Sequence, residues 1–360
     1  MTLIRFLLLL LATPLLLSAA PLRVGVAGLT HDHVHWLLDH AGRGEVEIVG
    51  IVEPNRELAR RHLERYKLPL TLLYPSLEGM IAVTKPEAVL AFGSTFAHLA
   101  VVEACAPRGV HVMVEKPLAV NGKHARRIEA LAREHRIQVL TNYETTWYAT
   151  NHRAHALLRS GDLGELRKVV IHDGHPGPKE IGVSPEFLQW LTDPVQNGGG
   201  ALTDFGCYGA NLLTWLTNGR RPLAVTAVLR RHKPDVYPRV DDEATILVEY
   251  PGAQGIIQAS WNWPFGRKDM EVYGATGYVV SENRSTLRLR LRGDEAVRTE
   301  SLPERPAPHH DSLAYLAAVV RHQTTPEAYD LSSLENNLLV VDILDAARES
   351  ARTGRRTTLP

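Results

Sequence analysis

Short apolar runs alternate with amphipathic stretches through the first part of the chain. The apolar runs predict strands at residues 22–26, 46–52, 88–92, 110–114 and 138–141. The stretches between them predict helices at residues 33–43, 57–66, 96–108 and 122–135. Strands that alternate with helices favour a parallel sheet joined by right-handed crossovers. The pattern therefore predicts an α/β fold, with one such domain in residues 21–145.

The pattern changes after about residue 145. A predicted helix at 152–159 is followed by runs of alternating apolar and polar residues near 168–172, 223–231, 244–250, 255–261, 269–273 and 286–292. Alternating runs with short turns favour antiparallel pairing. We therefore expect a second, α+β domain at residues 146–310 with a mainly antiparallel open sheet. Helical patterns at 312–323 and 332–353 predict that residues 311–360 pack back on both domains.

The first twenty residues are typical of a secretory signal peptide. Arg5 supplies a positive charge, residues 6–17 are apolar apart from interruptions such as Pro14, and residues 18–20 are small. A retained membrane anchor is the alternative. Because no later apolar run is long enough to span a bilayer, we expect a soluble, secreted or periplasmic protein after residues 1–20 are removed.

The charge and the cysteine content exclude some classes of protein. Lys plus Arg and Asp plus Glu each number 40, so neither nucleic acid nor an anionic membrane surface is an expected partner. Cys105 and Cys207 are the only cysteines, and each lies in an apolar helical context. We expect two buried free thiols, and the sequence has no cysteine cluster of the zinc-binding kind.

The tripeptide Glu115-Lys116-Pro117 directly follows the predicted strand at residues 110–114. Proline ends the strand because it has no N–H to donate to the sheet. A charged pair is therefore expected at the carboxyl end of an inner strand, the edge where open α/β sheets bind ligands. A lysine there either closes a buried ion pair or contacts a ligand, and the surrounding pattern favours the ligand.

A glycine turn between the first strand and helix, followed by an acidic residue after the next strand, is the Rossmann dinucleotide-binding arrangement. Gly28 would let a pyrophosphate approach the helix N-terminus. Glu53 is placed to bind an adenosine ribose, which favours NAD over NADP, although Arg56 weakens that preference. Thr30 and His33 occupy the other two fingerprint glycine positions. An ordinary turn without a nucleotide is therefore the alternative on this loop alone.

The same loop is rich in histidine. His31 and His35 are four residues apart, a spacing that places side chains on one helical face and is also typical of metal ligands. No second set of carboxylate and histidine residues accompanies them, so we predict no metal site. Instead, His31 and His33 are expected to cap the helix or to contact the phosphates of the cofactor.

The glycine triplet at residues 198–200 predicts a flexible turn that enters a helix. In that helix Asp204, Tyr208, Asn211 and Trp215 follow one another at spacings of four, three and four, so they share a face. A carboxylate, a phenol, an amide and an indole suit a wet cleft, and a solvated helix face is the alternative. Gly206 argues for the cleft, because a glycine inside a plain surface helix costs about 1 kcal/mol relative to alanine.

Taken together, these elements resemble the Gfo/Idh/MocA oxidoreductases, over nearly the whole chain beyond residue 20. The elements that carry the resemblance are Glu115-Lys116-Pro117, Gly198-Gly199-Gly200, Asp204-x-Gly206-x-Tyr208, Gly161-x-x-Gly164 and Ser260-Trp261-Asn262. The resemblance implies a Rossmann domain, a nicotinamide cofactor and oxidation or reduction of a sugar-like hydroxyl. Tyr208 stands where many members have histidine, as in the branch with glucose–fructose oxidoreductase and the dihydrodiol dehydrogenases.

The resemblance also implies roles for single residues. Lys116 matches the active-site lysine of the family and Asp204 its acidic partner. With Tyr208 these form the implied catalytic set, in which Lys116 is expected to lower the pKa of the phenol so that it acts as the base. Asn211 stands at a substrate position where aspartate is common, and Thr95 and His98 partly match a cofactor loop, beside Glu115. Trp263 is a candidate to stack on a sugar, whereas Trp215 is more typical of a core residue.

We therefore expect a secreted NAD(P)-dependent oxidoreductase that acts on a sugar or cyclitol and holds its cofactor tightly. One alternative is a glycoside hydrolase that uses bound NAD without net redox change. Another is a non-catalytic sugar-binding relative, suggested by the missing glycines. A homo-oligomer formed through the second-domain sheet is also expected.

Overall fold

The first domain is built on a parallel sheet. The computed structural model describes residues 20–40 and 44–359, so the signal-peptide prediction lies outside the described residues except at Ala20. The strands of this sheet are β1 (Leu22–Ala27), β2 (Val46–Val52), β3 (Ala88–Ala91), β4 (His111–Glu115) and β5 (Val139–Asn142). Their order is β2-β1-β3-β4-β5, and every neighbouring pair is parallel. The predicted Rossmann arrangement is confirmed.

Helices connect these strands and cover both faces of the sheet. They are α1 (Val34–Asp39), α2 (Arg56–Tyr66), α3 (Leu77–Thr84), α4 (His98–Cys105) and α5 (Gly122–His135). Successive residues of β3 point to opposite faces, so Leu90 packs with Leu37 of α1 while Val89 packs with Ile128 of α5. Burial on both faces explains why these strands are continuous apolar runs. Helix α3 was not predicted from the sequence.

The second domain is built on an eight-stranded sheet in the order β13-β12-β11-β10-β6-β9-β8-β7. Its strands are β6 (Leu166–Gly174), β7 (Ala224–Arg230), β8 (Glu243–Tyr250), β9 (Ala253–Ser260), β10 (Arg267–Gly274), β11 (Tyr278–Ser281), β12 (Thr286–Arg290) and β13 (Arg298–Ser301). Neighbours are antiparallel except β6 and β9, which are parallel. The predicted mainly antiparallel sheet is confirmed, whereas β11 and β13 were not predicted.

Helices cover one face of this sheet and, within residues 20–40 and 44–359, leave the other open. The covering helices are α6 (Ala149–Arg159), α7 (Pro185–Leu191), α8 (Ala201–Asp204) and α9 (Gly206–Leu216). Gly209 lets α9 lie directly on β9, because a Cβ there would stand 2.4 Å from a methyl group of Ile257. The sequence predicted one helix after the glycine triplet, whereas the structure has two, α8 and α9, separated by Phe205.

The C-terminal segment adds α10 (Ser312–Val320) and α11 (Leu334–Thr353). Leu316 of α10 joins the core of the first domain, while α11 contributes to the cores of both domains through Leu338 and Leu344. Both cysteines are buried free thiols, as predicted. Within residues 20–40 and 44–359, no helix combines the length and the apolar character needed to cross a membrane.

Candidate active site

The glycine triplet is a tightly packed loop, not the flexible turn predicted from the sequence. A Cβ on Gly200 would stand 1.8 Å from the backbone oxygen of Asp241, and one on Gly198 would stand 2.9 Å from that of Val120. The carboxylate of Asp241 accepts hydrogen bonds from the N–H groups of Gly200 (2.9 Å) and Leu202 (2.7 Å). These contacts hold the first turn of α8 and thereby position Asp204.

Lys116 and Asp204 form a buried ion pair where the two domains meet. β4 ends at Glu115, so the next residue extends from the carboxyl edge of the sheet. The ammonium of Lys116 donates to the carboxylate of Asp204 and to its backbone oxygen, the latter at 3.3 Å. The indole N–H of Trp261 donates to the other carboxylate oxygen at 2.9 Å. Lys116 and Asp204 are only 6% and 5% exposed, so solvent screens the pair weakly.

Both partners of this pair stay charged at neutral pH. Burial alone would lower the pKa of Lys116, but the negative charge of Asp204 outweighs it and holds that pKa above its ordinary value. Burial alone would raise the pKa of Asp204, but Lys116 outweighs it and holds that pKa below its ordinary value. Lys116 therefore acts as a hydrogen-bond donor and a positive charge, and not as a base.

Tyr208 meets Lys116 as predicted, but through the face of its ring. The Lys116 ammonium lies 5.4 Å from the ring centroid, and the Lys268 ammonium lies 4.9 Å from it. Burial, reinforced by nearby acidic groups such as Glu144, raises the pKa of Tyr208 well above its ordinary value. The predicted lowering of this pKa is wrong, because the tyrosine is 1% exposed and loss of hydration disfavours the phenolate.

A second ion pair, between Lys268 and Glu144, was missed in the sequence. The two side chains are in direct contact, and the hydroxyl of Tyr148 donates to Glu144 Oε1 at 2.8 Å. A usable signal was present for Lys268. Lys268 lies two residues before the buried Met270 in β10. Because side chains alternate between the two faces of a strand, Lys268 is expected on the same helix-covered face of the sheet.

Glu115 is the centre of a smaller polar cluster on the Rossmann side. Its carboxylate accepts from Asn142 Nδ2 at 2.8 Å and pairs with His33 Nδ1 at 2.8 Å. Burial would raise the pKa of Glu115, but the neighbouring His33 and His31 outweigh it and hold the pKa at about 2. His33 also stacks on Trp36, with the ring centroids 3.9 Å apart. The glutamate is therefore ionised, and the side chain of His33 fills space that a glycine would leave open.

His31 lies close to Glu115 without bonding to it. Its Nε2 is 3.9 Å from Glu115 Oε2 and has no hydrogen-bond partner among the described residues. Its Nδ1 accepts from the backbone N–H of His33 at 3.1 Å, which leaves the proton of the neutral ring on Nε2. His31, His33 and Glu115 have the proximity of metal ligands, and the hydrogen bond at Nδ1 makes the Nε2 of His31 a donor in the neutral ring. His35 bonds instead to the hydroxyl of Tyr66.

The strand-to-helix turn retains two features of a dinucleotide site. Gly28 has φ +83°, and a Cβ there would stand 2.8 Å from the nitrogen of Gly93. Glu53 lies at the end of β2, where its carboxylate accepts from the N–H groups of Leu29 (2.7 Å) and Asn55 (2.8 Å). Thr30 makes a long contact with the carbonyl of Phe92, at 3.5 Å. The glutamate is therefore in place and already orders the loop.

The second domain covers part of this turn. Rings of Phe187 and Trp190 in α7 lie 4.5 and 5.7 Å from the ring of His31. Thr95 donates to Asn197 at 3.1 Å, across the boundary between the domains, and His98 donates to the carbonyl of Leu118 at 3.2 Å. Burial lowers the pKa of His98 to about 4, so its ring is neutral. Thr95 and His98, two of the residues predicted to contact the cofactor, lie at this edge and are buried.

Two sequence predictions about the helix after the triplet need correction. Every residue of α9 is buried, so its polar stripe does not face a wet cleft. Asn211 is fully buried and donates to the carbonyl of Leu331 at 2.8 Å, which places it in the core rather than at a substrate site. Trp263 packs against Gly174 and is partly exposed, so its predicted role in substrate stacking stays a prediction, while Trp261 donates to Asp204. Trp215 is a core residue stacked on His155, as its preferred interpretation predicted.

A cavity of about 830 Å³ opens beside the carboxyl ends of β3, β4 and β5. Its inner wall carries Glu115, Asn142 and Glu144, next to the aromatic rings of Trp147 and Tyr148. Glu144 on this wall pairs with Lys268, whose ammonium lies over the ring of Tyr208. The Lys116 ammonium lies over the same ring, so these contacts link the wall to the Lys116–Asp204 pair. The cavity thus combines apolar surface with a few converging polar groups, as small-molecule sites do.

Two family models match the chain over most of its length. Residues 22–143 match the NAD-binding Rossmann fold of the GFO/IDH/MocA oxidoreductase family. Residues 151–280 match the C-terminal domain of the same family.

Curated relatives include trans-1,2-dihydrobenzene-1,2-diol dehydrogenases. The bovine enzyme is 28% identical over 235 residues, which cover 64% of this chain and 65% of the bovine enzyme's length. The Xenopus tropicalis enzyme is 24% identical over 309 residues, covering 84% of this chain and 88% of that protein.

Solved structures share the fold at low identity. Aldose-aldose oxidoreductase from Caulobacter crescentus, complexed with glycerol, has a TM-score of 0.78 at 24% identity and covers 94% of this chain and 100% of its own. An inositol dehydrogenase homologue from Azotobacter vinelandii, complexed with NAD+, has a TM-score of 0.79 at 18% identity and covers 94% and 98%. At these identities the likeness concerns the fold.

Proposed function

Because this chain belongs to the GFO/IDH/MocA family of NAD-binding oxidoreductases, we propose that it transfers a hydride between NAD and a hydroxyl-bearing carbon of a sugar, cyclitol or related diol. The observation that carries the proposal is the buried Lys116–Asp204 pair at the carboxyl edge of the Rossmann sheet. This is the edge at which α/β sheets bind nucleotides and their substrates.

The residues of the first domain fit the cofactor at both ends. Gly28 keeps the turn free of a side chain, and Glu53 offers a carboxylate at the end of β2 for a ribose hydroxyl. At the other end, Glu115 and Asn142 border the cavity with polar groups that suit the nicotinamide half. The turn departs from the fingerprint at His33, so the phosphates would meet an imidazole where most Rossmann loops have glycine. When bound, NAD supplies the atom that accepts or gives the hydride.

The role of Lys116 follows from its charge and position. As a permanent donor, it would bond the substrate oxygen and stabilise the negative charge that this oxygen gains in the transition state. Asp204 holds the ammonium in place and is itself held by Trp261. The ammonium groups of Lys116 and Lys268 both lie over the ring of Tyr208. Tyr208 therefore orders the centre as a neutral side chain.

The substrate class is proposed from the polar walls and from the names of the relatives. The cavity places carboxylates beside aromatic rings, an arrangement that suits a polyol because hydroxyls bond to carboxylates while C–H faces lie on rings. The bovine relative is named for a vicinal diol, and the Caulobacter structure contains glycerol. A compound with adjacent hydroxyl groups is the substrate that these observations support.

We expect the purified protein to retain a dinucleotide and to prefer NAD to NADP. Relative to protein freed of its nucleotide, NAD at a hundred times its dissociation constant should raise the free energy of unfolding by about 2.7 kcal/mol. NADP should do less, because the Glu53 carboxylate repels a 2′-phosphate. Native mass spectrometry detects the retained cofactor, and thermal unfolding with each nucleotide measures the preference. Glu53→Gln should reduce the difference between the stabilisation by NAD and that by NADP. Glu57→Gln, at an exposed position of α2, should leave this difference unchanged.

The proposal fails if the protein holds no dinucleotide and neither NAD nor NADP stabilises it. Reduction of NAD with a panel of polyols then tests turnover. Release of nitrophenol from nitrophenyl glycosides without net formation of NADH would instead identify the redox-neutral hydrolase.

We also propose that the open face of the second sheet forms a homodimer. Val170, Ile256 and Leu247 lie side by side across β6, β9 and β8 on this face and are only partly buried. Light scattering after size exclusion should therefore show a dimer for the wild type and a monomer for Leu247→Asp, because a charge at the centre of an apolar interface is strongly unfavourable. Leu70→Asp, at an exposed position of the first domain, should remain dimeric. A monomeric wild type would contradict the proposal.

A further inference from the structure

Asp173 is a buried carboxyl group that the roles assigned above do not use. It lies near the end of β6 and is 1% exposed. Its Oδ1 is buried and has no hydrogen-bond partner among the described residues. An unsatisfied buried polar atom costs about 1–3 kcal/mol, so this oxygen calls for a functional or structural reason.

The position of Asp173 follows from the alternation of the strand. Val169 and Ile171 have the same parity in β6 and are buried in the core beneath the helices. Asp173 therefore stands on the helix-covered face of the sheet. Its direct partner on β10 is Lys268, which contacts the ring of Tyr208. The carboxyl group thus belongs to the same enclosed centre as the Lys116–Asp204 pair.

We propose that Asp173 is the group that exchanges the proton of the substrate hydroxyl, an inference that rests on the proposed function. In the reducing direction, the carbonyl carbon gains the hydride of NADH, the C=O π bond becomes an alkoxide electron pair, and the Asp173 O–H bond breaks as its proton passes to that oxygen. The products are an alcohol, NAD+ and the Asp173 carboxylate, which regains a proton from water. Oxidation runs through the same steps in reverse, so atoms and electrons balance in both directions.

Burial and nearby charges set the pH range in which Asp173 gains or loses its proton. Burial raises the pKa of Asp173 well above its ordinary value, and the nearby Lys268 only partly opposes this. The other charged groups that influence it are Glu144, Lys116 and Asp269. Asp173 therefore keeps its proton to higher pH than an exposed aspartate does. Carbonyl reduction should fall and oxidation should rise as the pH increases through the range in which Asp173 ionises.

This assignment explains why Tyr208 can remain a neutral phenol. A base in this centre must titrate closer to neutral pH than a buried tyrosine does, because general acid–base catalysis is most effective near the working pH. The pKa of Tyr208 is raised away from that range, while the pKa of Asp173 is raised toward it.

The Asp173→Asn variant separates proton exchange from a structural role. Asparagine has the shape of the neutral acid, so a purely structural role survives the change. With proton exchange, the variant should lose about 10²- to 10⁴-fold in kcat and lose the rise of oxidation with pH, while NAD affinity stays the same. Asp173→Glu should recover part of the rate and the pH dependence. Asp330→Asn removes another carboxyl group with a raised pKa, partly buried in the C-terminal segment, and should keep the wild-type pH profile.

Infrared spectroscopy gives a readout that needs no turnover. The wild type at neutral pH should show the carbonyl band of a protonated carboxyl group that is absent in Asp173→Asn and still present in Asp330→Asn. The proposal is overturned if no band depends on residue 173, or if Asp173→Asn keeps its rate and pH profile. If the wild type binds no dinucleotide, the proposed function fails instead, and the infrared band still decides the protonation of Asp173.

Discussion

The Lys116→Met variant is expected to lose about 10²- to 10³-fold in kcat/KM, the loss seen when a preorganised donor to a developing oxyanion is removed. Methionine fills a similar volume but carries no charge and donates no hydrogen bond. The same change leaves the buried carboxylate of Asp204 without its partner, which should lower the free energy of unfolding by about 3–5 kcal/mol. Steady-state kinetics and denaturant unfolding measure the two effects.

A second substitution separates the catalytic loss from the loss of stability. In Lys116→Met/Asp204→Leu, neither charge remains, so most of the stability should return, because a buried ion pair is often replaced by apolar residues at little cost. Activity should not return. Lys123→Met, at an exposed position of α5, should match the wild type in both measurements. A Lys116→Met variant with wild-type kcat would show that Lys116 is not the donor to the substrate oxygen.

Gly200→Ala is expected to lower the free energy of unfolding by about 3 kcal/mol or more, which is the upper range for overpacking a close-packed site. The added Cβ would stand 1.8 Å from the backbone oxygen of Asp241, and a backbone atom cannot move aside as a side-chain tip can. The loop must therefore shift, and α8 with Asp204 must shift with it. We expect turnover to fall with stability, as measured by thermal unfolding and kinetics.

Gly266→Ala is the matched control for this variant. Gly266 is exposed, and a Cβ there would meet no atom within 4 Å. Its effect on the free energy of unfolding should therefore stay within about 0.5 kcal/mol. If Gly200→Ala were equally silent, the close contact with Asp241 would not be what positions Asp204.

The Lys116–Asp204 pair shows how far reasoning from the sequence reached into the site. The strand end at Glu115 and the helix after the triplet were both predictable, because apolar periodicity and proline are local signals. The resemblance to the family then brought the two residues together. The tight loop itself was misjudged, because glycine is used both for flexible turns and for close packing, and only the neighbouring Asp241 distinguishes the two.

Side chains that reach the site from the second sheet were harder to predict. Trp263 was chosen for substrate stacking, yet Trp261, two positions earlier, donates to Asp204. Asn211 was placed in a cleft, yet it lies in the core. The position of Asn211 depends on how α9 packs across the sheet. Side-chain spacing along one helix says which residues share a face, but it does not say what that face meets.

Alternation of apolar runs along the chain was enough to determine the two-domain α/β architecture, the parallel sheet and the strand end that presents Lys116, because these features depend on local periodicity. The tertiary structure alone decided that Lys268, Glu144 and Asp173 join the same centre and that the pKa of Tyr208 is raised rather than lowered. The physical reason is that ionisation depends on burial and on charges brought close from distant parts of the chain, and no pattern within a single segment contains either.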